Sequence, residues 1–202
     1  MHSYSWGETL PTLIADRVRL RHLTEADVPA LYAIFSDPEV MRYWSSPPMQ
    51  SLQEANELWR KIQEGFESRR LFQWGIVGTE PERLLGTCTL FHLDLVHRRA
   101  EIGYALARAC WGKGLAREAV TAVIDFAFTS LDLHRIEADA DPRNENSLRL
   151  LERLGFKHEG RLRERYIVSG EIQDAALLGL LRPEWTRLQE RAPLSREDLC
   201  ER

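Results

Sequence analysis

Two glycines bracket a lysine at Gly112-Lys113-Gly114, and an apolar helical period begins at the next residue, Leu115. Exposed backbone N–H groups at a helix start attract anions, because the aligned peptide dipoles leave partial positive charge there. Glycine lets the chain turn tightly and lets a ligand approach the backbone closely. The segment therefore fits a phosphate cradle with Lys113 at its rim; the same spacing also serves a plain strand-to-helix connection. Two phosphate motifs fail here. A P-loop needs Gly, four residues, then Gly-Lys-Ser/Thr, but Ala107 stands five places before Gly112 and Gly114 follows the lysine. A dinucleotide fingerprint needs G-x-G-x-x-G, and Arg117 occupies the third glycine position.

Other reactive side chains are scattered. His2, His22, His92, His97, His134 and His158 lack metal-ligand spacing, so they read as surface or structural residues, with no metal expected. There is no G-x-S-x-G elbow for serine hydrolase chemistry. Cys88, Cys110 and Cys200 are odd in number, without a C-x-x-C pair, which suits a reducing cytosol better than a disulfide scaffold.

The elements that must position these residues can be read from periodicity. Residues 17–23 alternate as a half-buried strand. Thr24 with Asp27, and Ser51 with Glu54, mark two helix starts, the second helix running to about residue 69. Asp37-Pro38 punctuates the first helix, and the aromatic, proline-rich run 42–50 reads as a loop. Strands are expected at 72–78, 84–92 and 99–106. Leu115, Ala119, Val120, Val123, Ile124, Ala127 and Phe128 then keep a helical period. A strand at 135–140 precedes Asn144, which can cap a helix carrying Leu148, Leu151 and Leu154 and ending at Gly155. Strands 157–168 and 172–181 meet near Ser169-Gly170, and 183–190 reads as a last helix before a charged tail. The order describes a mixed α/β sheet in which an antiparallel meander precedes the glycine segment and a β-α-β unit follows it. One domain is expected over 1–182, with 183–202 as a C-terminal helix and tail.

The chain of 202 residues, 44% of them hydrophobic, is long enough for a sizeable core, and its formal charge of −4 argues against a broad nucleic-acid footprint. No apolar run approaches a membrane span of about 18 residues. A cytoplasmic protein without nucleic-acid or membrane partners is expected.

The runs Glu101-Ile-Gly-Tyr-Ala-Leu and Trp111-Gly-Lys-Gly-Leu-Ala-Arg-Glu-Ala resemble the GNAT superfamily of acyl-CoA-dependent N-acetyltransferases. Its acetyl-CoA loop reads Gln/Arg-x-x-Gly-x-Gly/Ala; Gly114 and Ala116 match the last fixed positions, and Trp111 replaces the first, as in the branch of ribosomal-protein N-terminal acetyltransferases. Asn144-Glu-Asn-Ser147, Leu151-Glu-Arg-Leu-Gly-Phe156 and, weakly, Asp37-Pro-Glu-Val-Met-Arg-Tyr43 extend the resemblance over about residues 12–182.

The resemblance implies the GNAT fold, with about seven mostly antiparallel strands, about four helices and a sheet splayed between the fourth and fifth strands. It implies acetyl-CoA as co-substrate, with its pyrophosphate on backbone N–H groups of Gly112, Lys113, Gly114, Leu115 and Ala116, beside Trp111. The reaction would be direct attack of an amine on the thioester. Glu101 is the candidate base; its alternative is a surface pair with Arg98 or Arg99. Ser147 is the candidate group at the thiol, with Asn144 or Asn146 on the pantetheine arm; both Asn144 and Ser147 also suit plain helix capping. A backbone N–H near Leu106 would meet the oxyanion. Met41, Tyr43, Trp44, Tyr104 and Tyr166 are candidates for the acceptor channel or for ordinary packing. Branch members carry a glutamate before the sixth-strand tyrosine, whereas Arg165 precedes Tyr166 here. The acceptor expected first is a protein α-amino end, of ribosomal type; the alternatives are a small amine (polyamine, amino acid or antibiotic) or a non-catalytic acyl-CoA-binding module. A monomer or homodimer is expected.

Overall fold

The computed structural model describes residues 7–79 and 82–191. Eight strands form one sheet in the order β1-β2-β3-β4-β5-β6-β8-β7. They are β1 (Leu13–Ile14), β2 (Val18–His22), β3 (Leu71–Gly78), β4 (Leu84–Asp94), β5 (Arg99–Leu106), β6 (Arg135–Ala140), β7 (Lys157–Val168) and β8 (Glu171–Leu181). The helices are α1 (Val28–Phe35), α2 (Pro38–Met41), α3 (Leu52–Glu67), α4 (Leu115–Thr129), α5 (Glu145–Arg153) and α6 (Arg182–Arg191). The strands exceed the expected seven by the two-residue β1, and the helices exceed the expected four by the four-residue α2 and by α6, the C-terminal helix expected separately. Asp37-Pro38 does not merely end α1. The Asp37 side chain accepts the Glu39 N–H, and the proline at the first turn opens α2.

Local chemistry explains the other helix starts. Thr24 and Asp27 form a reciprocal capping box ahead of α1. Ser51 accepts the Glu54 N–H at the start of α3, and Asn144 accepts the Ser147 N–H at the start of α5. No helix among the described residues is long and apolar enough to cross a membrane.

The sheet carries helices on both faces, and β5 shows how its residues are shared between them. Ile102 and Leu106 join the large core beneath α4, with Val120, Val123, Ile124 and Phe128. Ala105, on the other face, joins a smaller core with Leu31, Ile34, Phe35, Met41 and Ile62 from α1, α2 and α3. Strand alternation therefore sends Ile102, Tyr104 and Leu106 toward α4, and Glu101, Gly103 and Ala105 toward the α1–α3 side.

All ladders are antiparallel except β5 with β6. That parallel ladder pairs only Arg99, Ala100 and Glu101 with Arg135, Ile136 and Glu137. Beyond Glu101 the two strands separate, while β5 stays paired to β4 as far as Leu106 and β6 to β8 as far as Ala140. The sheet thus opens as a wedge between the fourth and fifth strands of the expected order. One edge of β5 is left without a strand partner from Ile102 onward.

Candidate active site

The glycine segment lies at one end of this wedge. Gly112 and Gly114 both adopt left-handed backbone, with φ of +72° and +78°. A β-carbon at Gly112 would meet nothing within 4 Å, so the backbone faces open space. Gly114 caps α4 without any side-chain hydrogen bond, leaving the first N–H groups of the helix without a side-chain acceptor. Two contacts hold the loop in shape. The Trp111 indole N–H donates to the Leu106 carbonyl at 2.8 Å, and Lys113 Nζ donates to the Ala109 carbonyl at 2.8 Å. Trp111 and Lys113 thereby shape the cradle from outside, while Leu115 and Ala116 contribute the first turn of α4. Arg17 was not anticipated from the sequence. Its backbone N–H donates to Glu118 Oε2 at 3.0 Å, its guanidinium pairs with the same carboxylate, and its Nη2 would lie 3.1 Å from a Gly114 β-carbon. Nothing in the local pattern at Arg17 signals this, because the contact spans 101 residues.

Ser147 stands in the first turn of α5, across the wedge from β5. The Tyr104 hydroxyl lies 2.8 Å from Ser147 Oγ. Tyr104, grouped with the acceptor residues on sequence, therefore sits on the opposite face from Glu101 and closes on the serine. Burial pushes its phenol up to about 12, so it stays protonated at any working pH. Asn144 does serve as a cap. Asn146 is exposed, and its side-chain oxygen accepts from Arg149 Nη2 at 2.7 Å.

Glu101 lies at the last paired position before the wedge opens, facing the α1–α3 side. Its expected partners pair elsewhere: Arg98 with Asp132, and Arg99 with Asp94 and Glu137. His92 Nδ1 meets Glu101 Oε1 at 2.8 Å instead. His92 was read as incidental on sequence; a positive φ of 50° beside the register shift in β4 brings it to the site. A second carboxylate, Asp139 on β6, points from the same face, two residues beyond the last parallel pair. Burial raises the Asp139 carboxyl above its ordinary value, the neighbouring Glu101 charge adding a little. Tyr166 donates its hydroxyl to Asp139 Oδ2 at 2.8 Å. Where the branch places a glutamate before this tyrosine, the chain has Arg165 and draws a carboxylate from β6.

Beside Glu101 opens a pocket of about 450 Å³. Phe35, Met41, Trp44, Met49, Leu58, Leu71 and Phe91 give it apolar walls, and Gln73, Thr87, Thr89 and Gly103 give it a floor. Trp44 packs edge-on against Phe35, with ring centroids 5.6 Å apart. Tyr43 lies with its ring centroid 5.9 Å from the Arg143 guanidinium carbon, and so joins the α2 segment to the loop before α5. Gly103 belongs to both compartments. It lies on the wedge-lining half of β5, and a β-carbon there would press on the Phe91 ring at 3.3 Å.

The profile of the Acetyltransferase (GNAT) domain matches residues 17–157. The chain belongs to the GNAT acetyltransferase family. It is 37% identical over 176 residues to the uncharacterized N-acetyltransferase p20 of Bacillus licheniformis, covering 87% of this chain and 99% of that one. It is 29% identical over 174 residues to the spermidine N(1)-acetyltransferase of Vibrio cholerae, covering 86% and 98%. The crystal structure of the Vibrio cholerae spermidine N-acetyltransferase in complex with CoA and spermine superposes with a TM-score of 0.76 at 27% identity, over 84% of this chain and 98% of that one. The protein is thus a GNAT N-acetyltransferase with the mixed-sheet fold of that family. The relatives include both spermidine N(1)-acetyltransferases and, over half of this chain, a putative ribosomal N-acetyltransferase of Bacillus subtilis (40% identical over 102 residues), so the comparisons do not single out the ribosomal-protein branch.

Proposed function

We propose that this GNAT acetyltransferase transfers acetyl from acetyl-CoA to the α-amino group of a peptide or protein N-terminus. The observation that carries the reading is the composition of the acceptor pocket. Its walls are apolar, its floor is neutral, Glu101 stands at one edge, and Arg70 and His92 stand at the rim. A singly charged amine on a partly apolar body fits such a lining. The spermidine enzymes among the relatives favour a second reading, a polyamine acceptor. A polyamine carries several ammonium groups, and each desolvated charge needs a partner. Of the nearby carboxylates, Glu137 is already held by Arg99 and Arg135, and Asp139 by Tyr166.

In this reading the Gly112–Ala116 backbone, with Arg17 close by, holds the pyrophosphate of acetyl-CoA. The open edge of β5 from Ile102 to Leu106 receives the pantetheine arm and offers the oxyanion a backbone N–H. An α-amine has a pKa of about 7.7–8.0, so it needs only modest help to lose its proton. Glu101, oriented by His92, takes that proton directly or through water. The neutral nitrogen attacks the thioester carbonyl past Gly103, and the thiolate leaves toward Ser147. The buried Tyr104 phenol, the stronger acid of the two hydroxyls, donates to Ser147 Oγ and frees the serine proton for the sulfur.

Steady-state thiol release with a dipeptide amide, a free amino acid, spermidine and butylamine tests the reading. The expected order of kcat/KM places the dipeptide amide first. Spermidine as the best acceptor would overturn it.

A further inference from the structure

Sheet register places a row of groups across the acceptor pocket. Gln73 on β3 stands directly opposite Thr89 on β4, and Thr89 opposite Gly103 on β5. All three line the pocket. Gln73 is only 6% exposed and lines the pocket; its side-chain amide makes no hydrogen bond to another described residue and is not among the buried unsatisfied groups, so what remains accessible of it faces the pocket. Removing an amide from water without giving it a new partner is unfavourable. An acceptor that fills this pocket displaces water from the Gln73 amide, and so binds best when it brings a polar group to replace it. Thr87, 1% exposed, continues the neutral floor one row away, opposite Gly75 and Ala105.

The spacing of the row says what kind of group. Adjacent strands lie about 4.8 Å apart. With the amine at Glu101 and Gly103, Thr89 is one strand away and Gln73 two, about 5 and 10 Å. An extended peptide advances about 3.3–3.6 Å per residue, so its first peptide groups fall within that range. Arg70 stands exposed at the pocket rim just before Leu71, beside the row Leu71–Phe91–Glu101, without an ion pair among the described residues. It disfavours a second ammonium there and favours a carboxylate.

We propose that Gln73, together with Thr89, is a specificity determinant that hydrogen-bonds a peptide group of the acceptor, and that Arg70 at the rim favours an acceptor with an acidic side chain. This rests on the α-amine reading above and adds to it. The acceptor is recognised by its backbone across the strands, so side chains near the amine are selected only by size against Trp44, Met41 and Phe91.

The test compares wild type with Gln73→Leu, Thr89→Val and Arg70→Ala, using Ala-Ala amide, Ala-Glu amide and butylamine as acceptors. Gln73→Leu should raise KM for both dipeptide amides about tenfold while changing KM for butylamine and for acetyl-CoA less than twofold; Thr89→Val should act in the same direction. Arg70→Ala should remove a several-fold preference for Ala-Glu amide over Ala-Ala amide. Melting curves check folding, and a leucine in this apolar pocket preserves packing. Equal effects of Gln73→Leu on dipeptide amides and butylamine, or no effect on either, would overturn the proposal. These outcomes are separate from a failure of the α-amine reading, which shows in the wild type alone as preference for spermidine.

Discussion

Tyr104→Phe isolates one hydrogen bond at the leaving-group end of the site. The phenol lies 2.8 Å from Ser147 Oγ, and the Ser147 carbonyl, at 3.5 Å, is only a weak second acceptor for it. Phenylalanine keeps the ring and its packing. The change therefore removes one neutral hydrogen bond, a net contribution of about 0.5–1.5 kcal/mol. If the phenol's work is to fix the serine hydroxyl toward the sulfur, the loss falls on the transition state, and kcat should drop about 2- to 13-fold. KM for acetyl-CoA should hold within about twofold, because the cradle at Gly112–Ala116 is untouched. The assay is thiol release at saturating acceptor for wild type, Tyr104→Phe, Ser147→Ala and the double variant. Since Tyr104 acts through Ser147, the double variant should be no slower than Ser147→Ala alone. Multiplying losses, or a Tyr104→Phe effect confined to KM, would refute the reasoning.

Three further outcomes follow from other parts of the structure. Gly114→Val places a branched side chain at φ +78° with its β-carbon 3.1 Å from Arg17, and calorimetry should show acetyl-CoA binding weakened about tenfold or more; Gly112→Ala, with open space around its β-carbon, should weaken it less. Glu101→Gln should lower kcat/KM at pH 7 by about 6- to 10-fold for an α-amine, since about a tenth to a sixth of that amine is already neutral, and a pH–rate profile should show the deficit vanishing above about pH 8.5. Asp27 resists its burial because Arg21 Nη1 and Nη2 meet it at 2.7 and 2.8 Å and Thr24 donates its N–H, which together hold its carboxyl below the ordinary value. That stability is present above the unfolded carboxylate pKa of about 3.9 and is lost as pH falls through the lower folded value. Asp27→Asn should cost about 2–3 kcal/mol in urea unfolding at pH 7, and the difference from wild type should shrink below about pH 4.

Much of the fold was legible because its signals are local. The strands at 99–106 and 135–140 have the bounds that sequence patterning assigns, and α4 begins where the apolar period begins, at Leu115. Asn144, Ser51 and Thr24 cap the helices that their types and spacing predict. β1 escaped because two residues carry no period, and α2 because Asp37-Pro38 stops one helix and starts another. At the site the limit was register. Alternation around Gly103 puts Tyr104 with Ser147 rather than with the acceptor, but that is visible only once the faces of β5 are known. His92 reaches Glu101 through a local irregularity in β4, which periodicity does not report. Gln73 gave no signal, because both faces of β3 are buried and the run Phe72 to Val77 shows no polar alternation.

The central claim concerns the acceptor, and direct competition tests it. Ala-Ala amide and spermidine at equal concentration are incubated with the enzyme and limiting acetyl-CoA, and the acetylated products are quantified by mass spectrometry. The account predicts mostly acetylated dipeptide amide, with the ratio moving toward spermidine in Gln73→Leu. Acetylspermidine as the main product of the wild-type enzyme would contradict it.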